Sequence, residues 1–262
     1  MRPRSKVGAG LHTMFAASLR SWRRVRWALA LLWVCIAFRP TPARAQQAIV
    51  TMPSADITDR GVAFAMKESQ LRVWGPKPMW NATFFLTYGI GHHTELAATF
   101  FNIGVPATRN ASLAVGEKTS LPLFAERWPQ LELKLTFGAM GLLSLEAQGA
   151  GYWLYSHLSL RLPRIETRLS AGFSVGSQVL FLKDEATSFI ASIEQPLPWL
   201  HGLVLTAEWF SGSHDLSNLI FGAAYHPTPR VIFVLGYKIP TKDAHFALSE
   251  QALVGEIGFF FR

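Results

Sequence analysis

The sequence predicts an all-β protein: an antiparallel up-and-down transmembrane β-barrel of about 12 strands, with 10–14 admitted by its weaker segments. Two observations carry this. Apolar and polar side chains alternate over segments of a dozen residues or more, whereas globular strands usually stop at about five or six. The chain is 50% hydrophobic, yet past its first 45 residues every greasy stretch is broken by polar residues.

The first 45 residues read as a secretory signal peptide. Nine basic residues and no acidic one fall there, around an apolar stretch at 27–38 and before Ala43-Arg44-Ala45, a small-x-small cleavage site. That stretch is too short to span a bilayer as a helix, which takes roughly 17 residues or more. Cleavage after Ala45 leaves a domain at 46–262 with 16 basic and 17 acidic residues, so the formal charge of +8 belongs to the leader. Nucleic acid is thereby excluded as a partner. Arg23-Arg24 would fit a twin-arginine signal, but paired arginines are ordinary in a basic n-region and the general secretory route is preferred. The single cysteine, Cys35, goes with the leader; Trp33 and Val34 before it do not fit a lipoprotein signal. The mature chain therefore has no disulfide and no thiolate metal ligand.

Strands are expected at 61–71, 80–90, 94–103, 111–124, 131–145, 149–162, 166–182, 187–195, 203–211, 217–225, 231–239 and 249–261. The fifth to seventh are the plainest. Leu131, Leu133, Leu135, Phe137, Leu143 and Leu145 oppose Glu132, Lys134, Thr136 and Ser144. Leu154, Leu158, Leu160 and Leu162 oppose His157, Ser159 and Arg161. Ala171, Phe173, Val175, Val179 and Phe181 oppose Arg168, Ser170, Ser174 and Gln178. Alternation is poor around 63–67 and 116–119, in the first and fourth strands. The tenth and eleventh are apolar on both faces (Ile220 beside Phe221, Ile232 beside Phe233), which implies a lumen filled by side chains there.

Breakers separate the strands: Gly75-Pro76-Lys77-Pro78, Gly91-His92-His93, Leu162-Pro163-Arg164, Pro196-Leu197-Pro198, Pro227-Thr228-Pro229 and Pro240-Thr241-Lys242-Asp243. The connections are shorter than the dozen residues or so that a parallel crossover needs, so the sheet is a meander. An open edge cannot face lipid, so the sheet must close. Trp74, Trp80, Trp128, Trp153, Trp199, Trp209, Tyr225 and Tyr237 fall near strand ends, where a bilayer places half-wet rings.

The chain ends Leu253-Val254-Gly255-Glu256-Ile257-Gly258-Phe259-Phe260-Phe261-Arg262, with Leu253, Ile257, Phe259 and Phe261 on one face. This resembles the C-terminal targeting strand of bacterial outer-membrane barrels, departing from it in the Arg262 that follows the last aromatic. The resemblance implies that Phe259 and Phe261 act as an assembly signal, with the barrel-assembly machinery and outer-membrane lipids as partners. Met52-Pro53-Ser54-Ala55-Asp56-Ile57 with Gly61, Trp209-Phe210-Ser211-Gly212 and Gly236-Tyr237-Lys238-Ile239-Pro240 are similar to the uncharacterised barrels grouped with phenol meta-pathway outer-membrane proteins. That resemblance implies a barrel admitting small hydrophobic or aromatic compounds, and supplies no catalytic residues.

Ser213-His214-Asp215-Leu216-Ser217-Asn218 is the one stretch with catalytic composition. It resembles the His-x-Ser-Asn motif of outer-membrane lipid A deacylases, but two residues separate His214 from Ser217 instead of one. On a strand that spacing puts the two on opposite faces; a hydrated loop is the plainer reading. His92-His93 with Glu95 reads as a solvated turn rather than a metal site, and no cofactor motif is present. Asn81-Ala82-Thr83 and Asn110-Ala111-Ser112 match glycosylation acceptors, which a bacterial protein does not use.

Charged and titratable residues at inward parity say more. Glu132, Lys134, His157, Arg161, Arg168, Glu194, Glu208, Lys238 and Glu256 fall opposite the greasy face and are expected to line the lumen. Facing lipid at mid-depth each would cost about 2–4 kcal/mol. Three functions follow: a narrow passive channel for small solutes with no chemistry, a lipid-modifying hydrolase built on His214 and Ser217, and a soluble periplasmic barrel that binds lipid in its core. The channel is the leading one.

Overall fold

The computed structural model describes residues 49–74, 78–105, 111–181, 186–214, 216–241 and 251–262. The expected signal peptide and its cleavage position lie outside these residues, as does Asp215.

The strands are β1 (Ala63–Arg72), β2 (Met79–Gly91), β3 (Thr94–Val105), β4 (Ser112–Pro122), β5 (Lys134–Ser144), β6 (Ala150–Arg161), β7 (Arg168–Gly176), β8 (Ala186–Pro196), β9 (Leu203–Phe210), β10 (Asn218–Thr228), β11 (Val231–Pro240) and β12 (Ala252–Phe261). Each pairs antiparallel with its sequence neighbours. β12 returns to β1, from Ala63 opposite Phe261 to Leu71 opposite Leu253, and the twelve strands close into a barrel. Closure gives every strand two partners, which removes the edge that lipid could not satisfy. No helix among the described residues is long and apolar enough to cross a membrane.

Two connections are only two residues long, Pro229-Arg230 between β10 and β11 and His92-His93 between β2 and β3. Both histidines have left-handed backbone (φ 53° and 60°), as a two-residue hairpin turn favours, and both are exposed. The solvated-turn reading fits this geometry.

Alternation read from the sequence on β5, β6 and β7 is the alternation found. Phe137, Leu143, Leu154, Leu158, Leu169 and Phe173 face outward, while Thr136, His157, Ser159, Arg168, Ser170 and Ser174 are buried inside. The outward apolar side chains make a belt around the barrel in which Phe173 is 64% and Leu235 66% exposed. Soluble barrels rarely display such a belt, so the soluble lipid-binding reading is not favoured.

Several boundaries differ from expectation by about three residues, β10 running on to Thr228 through the expected Pro227 breaker, and two differences move side chains the parity had placed. The seventh strand stops at Gly176, and α1 (Gln178–Phe181) follows, its Val179, Leu180 and Phe181 buried. The parity argument placed Val179 and Phe181 on the lipid face; the chain instead turns inward after Gly176, whose missing side chain leaves room for the Phe181 ring. The fifth strand begins at Lys134, not 131. Pro129–Leu131 forms a 3-10 turn and Glu132 ends it in left-handed backbone (φ 41°), so strand parity never applied to Glu132.

The weak alternation in β1 and β4 has a physical counterpart. Lys67, fifth of ten residues in β1, and Glu117, sixth of eleven in β4, are exposed on the outward face at mid-strand. The Lys67 ammonium lies 5.5 Å from the Trp80 ring centre and 5.9 Å from that of Phe84, on the adjacent strand. Those ring faces recover part of its lost hydration.

Lipid-facing positions can be tested by charge. Lys67→Leu should stabilise the barrel in bilayers, and Phe173→Arg should destabilise it, each by about 2–4 kcal/mol near the midplane. Denaturant titration in vesicles reads both; shifts of the same sign would contradict the assignment.

Candidate functional site

The closed barrel encloses a lumen, and among the described residues that lumen is occupied by the chain itself. Before β1 enters the wall, residues 49–58 run inside the barrel, and Asp59 and Arg60 are exposed. Ile49, Val50, Met52, Ser54, Ala55 and Thr58 are all at most 2% exposed. The segment has no periodicity and forms no regular element, so its backbone groups must find partners on the wall. They find side chains from distant strands.

At the end that carries β1, Arg60 bridges to Gly89 of β2, and a side chain on Gly89 would collide with the Thr58 and Asp59 carbonyls. Deeper in, the Thr58 N–H donates to Glu95 Oε2 at 2.6 Å, and Glu95 is itself paired with Lys118 at 3.0 Å. Ser120 Oγ donates to the Ala55 carbonyl at 2.8 Å. Deepest, the Glu208 carboxylate accepts the backbone N–H groups of Val50, Thr51 (2.8 Å) and Met52 (2.9 Å), and the Thr51 hydroxyl at 3.1 Å. Three successive N–H groups converging on one carboxylate are the geometry of a built anion seat. Here the anion belongs to the wall and the donors to the plug.

Asp56 supplies the other anchor. Its carboxylate accepts from Arg168 at 2.7 Å and Lys134 at 3.0 Å. Burial alone would raise the Asp56 carboxyl, but the charges of Arg168 and Lys134 more than reverse this and hold it well below the usual carboxylate range. The wall needs this anion. Arg161 and Arg168 lie directly opposite each other on β6 and β7, a like-charge pair that repels. Glu194 faces Arg168 from β8, and Glu132 reaches Arg161 at 3.3 Å and Arg168 at 3.7 Å. With Asp56 in place, three cations meet three anions.

Beyond the plug the lumen turns apolar. Met52 packs with Phe101, Trp153, Tyr155, Phe181 and Phe210, which also bury the inward helix α1. Val50 packs with Phe64, Ile220, Ile232, Val234 and Val254. The two-faced greasiness of the tenth and eleventh strands is accounted for by this filling. A small cavity remains beside the plug, lined by Thr51, Pro53, Phe101, Lys118, Trp153 and Tyr155.

Of the nine residues expected in the lumen, eight project inward from strands: Lys134, His157, Arg161, Arg168, Glu194, Glu208, Lys238 and Glu256. Glu132 joins them from a loop at the rim. Their surroundings differ from a wet channel: His157 lies buried beside the Pro53 carbonyl, and Lys238 donates to Gln70. His214 and Ser217 do not form the pair their spacing suggested. Ser217 Oγ accepts the His214 backbone N–H at 2.9 Å, while the imidazole meets Ser188 Oγ and the Phe181 ring. The loop between β9 and β10 folds inward, and both residues are almost completely buried under Phe181, out of a lipid's reach.

Asp56, Lys118, Glu68 and Gln70 were not expected in the lumen, and Glu95, read with the solvated His92-His93 turn, is instead buried and paired with Lys118. Inward parity on the first, third and fourth strands was a usable signal for all but Asp56.

No protein-family model matches the chain, and neither does any curated protein. Among solved structures, the NanC porin aligns over 76% of this chain and 99% of its own, at 11% identity and a TM-score of 0.50. The chain has a porin's fold. An outer membrane channel from Pseudomonas putida F1 covers 85% of this chain and 99% of its own, at 11% identity and a TM-score of 0.47. The translocator domain of the autotransporter NalP from Neisseria meningitidis covers 79% and 90%, at 13% identity and 0.42. The barrel expected from the alternation is the barrel found, and its fold resembles that of the NanC porin.

Removing either anchor should free the plug without opening the wall. Asp56→Ala or Glu208→Ala is expected to weaken seating by about 1–3 kcal/mol, the cost of unmatched buried partners. Limited proteolysis followed by N-terminal sequencing should then find cuts within 49–60 while the strands stay intact. Unchanged protection in both variants would mean that the anchors do not hold the segment.

Proposed function

We propose that the protein is a passive outer-membrane channel for small solutes, closed in this state by its own N-terminal segment. The observation that carries the reading is the mode of closure. Among the described residues the plug is one continuous stretch that leads into β1 and is held by side-chain contacts at Glu208, Glu95, Lys134 and Arg168. Such contacts can be exchanged for water without breaking any strand pairing. Barrels of eight strands are filled by side chains and those of 16–18 leave an aqueous pore; twelve strands leave room for one extended chain, and hence for a narrow path once it withdraws.

The aromatic cluster of Phe101, Trp153, Tyr155, Phe181 and Phe210 supports small hydrophobic or aromatic compounds as solutes. The rim supports a mild preference for anions when open, because Asp56 leaves with the plug and Lys134, Arg161 and Arg168 then face only Glu132 and Glu194. Export by the general secretory route, removal of residues 1–45, and use of Phe259 and Phe261 by the barrel-assembly machinery belong to the same proposal. Both phenylalanines face outward opposite Ala65 and Ala63, accessible on the closing strand.

Planar-bilayer recording tests it. Deleting residues 46–58 should raise single-channel conductance well above that of the mature protein, and Arg161→Gln with Arg168→Gln in that background should shift the reversal potential toward cations. A deletion variant that inserts yet never conducts would leave a plugged scaffold instead of a channel. Replacing Phe259 and Phe261 by serine should lower the amount of inserted barrel while export continues; normal heat-modifiable barrel in that variant would remove the assembly role.

A further inference from the structure

The outward belt contains two charges of opposite sign. Among the described strands, Lys67 on β1 and Glu117 on β4 are the charged side chains exposed on the outer face; every other charged strand residue stands at inward parity. Lys67 rests against the Trp80 and Phe84 rings. Glu117 has no such support: among the described residues no ion pair or hydrogen bond engages it. A carboxylate that faces hydrocarbon at mid-strand carries a cost that a cation partner relieves.

The register sets both charges at one depth. A row of directly opposed residues starts at Ala63, the first position of β1, passes Tyr88 and Leu96 to Glu117, and runs on through Ala139 and Leu154 to Val175. Strands β1 and β7 start at the same end of the barrel, yet Val175 stands seven positions past the start of β7. Rows therefore climb along the wall, as tilted strands require. At Glu117 the row is halfway there, and half of that climb is close to the four positions that separate Ala63 from Lys67. Level with each other but three strands apart, the two charges are about 19 Å from one another, taking strands about 4.8 Å and residues about 3.3 Å apart. Within one barrel they cannot meet.

Between barrels they can. Two copies related by a two-fold axis would touch on β2 and β3, where the exposed Phe84, Leu86, Leu96 and Phe100 would hold the charges apart. A head-to-tail contact, β1 of one copy against β4 of the next, sets Lys67 directly on Glu117. The outer face is low at both places. Ser69 and Gly255 lie opposite each other beside Lys67, and Ala139 lies opposite Glu117. A side chain on Gly255 would meet nothing within 4 Å, so its bareness serves no contact inside the barrel.

We propose that copies of this chain associate laterally in the membrane, Lys67 of each paired with Glu117 of the next. Three of the twelve strand intervals make a quarter turn. Head-to-tail contacts a quarter turn apart close a ring of four. The large side chains of β2 and β3 then face the centre of the ring. The proposal rests on the outward belt lying in lipid; it depends neither on the plug nor on conduction.

The test uses the mature protein in lipid vesicles at several protein-to-lipid ratios, with one dye at Arg230→Cys, in the exposed turn between β10 and β11 and away from both contacts. Energy transfer between differently dyed copies should exceed that of dispersed barrels, and photobleaching should count up to four steps. Lys67→Glu or Glu117→Lys alone should lower the associated fraction about tenfold. Both changes in one chain should restore it, and the two single variants mixed should associate with each other though neither does so alone. Heat-modifiable migration checks that each variant is folded. Lys67→Leu should abolish association while the dispersed barrel resists denaturant better, a split that a merely structural lysine would not give. Wild-type barrels that stay single at the highest density would overturn the proposal. So would association that survives both single reversals, or a double reversal that fails to restore it. Insertion and conductance are read separately, so each of these failures leaves the channel reading standing.

Discussion

Everything in this structure depends on the pairing of the last strand with the first. Twelve strands in an open sheet would leave two rows of unpaired amides in a solvent that offers no hydrogen bonds. The β1–β12 ladder, nine residues long, removes both rows at once. It also creates an inside. The alternation along each strand then has only one meaning: one parity faces lipid and the other faces an enclosed volume that must be filled or hydrated.

Filling divides that volume by chemistry. Near the end where β1 begins, the wall is cationic and the entering chain brings Asp56. In the middle the wall is acidic and the chain brings bare backbone N–H groups. At the far end the wall is aromatic and α1 brings Phe181. Each stretch of filler carries what its neighbourhood lacks. This is why an irregular, hydrogen-bond-poor segment can lie buried without leaving its amides orphaned, and why Glu256, with nothing brought to it among the described residues, stands out.

Strand positions were legible because a period of two survives any local irregularity, and because lipid enforces it more strictly than water does. β7 shows the limit. Val179 and Phe181 continue the rhythm of Phe173 and Val175, yet the backbone has already turned, since parity records spacing and not direction. Glu132 fails for a related reason: the pattern starts at Leu131, but the turn opened by Pro129 delays the strand until Lys134. The inward charges were readable one strand at a time, but their partners were not. The contacts that define the site join residues 157 and 112 positions apart, Thr51 with Glu208 and Asp56 with Arg168. The segment that makes them has no pattern to read. His214 and Ser217 were noticed for their composition, and the fold joins His214 to Ser188, on a neighbouring strand the motif did not include.

The plug is also a ligand that cannot diffuse away. Arg60 and Gly61 tie it to β1 within a residue or two of its last wall contact, so a displaced plug stays at an effective concentration in the millimolar range or above. A seat of quite modest intrinsic strength would then remain occupied most of the time, and a free peptide of the same sequence would compete poorly. What sets the open fraction is the balance between that tether and the few side-chain contacts at the far end. Lengthening the chain between Arg60 and β1 would therefore dilute the plug without altering one contact in the lumen.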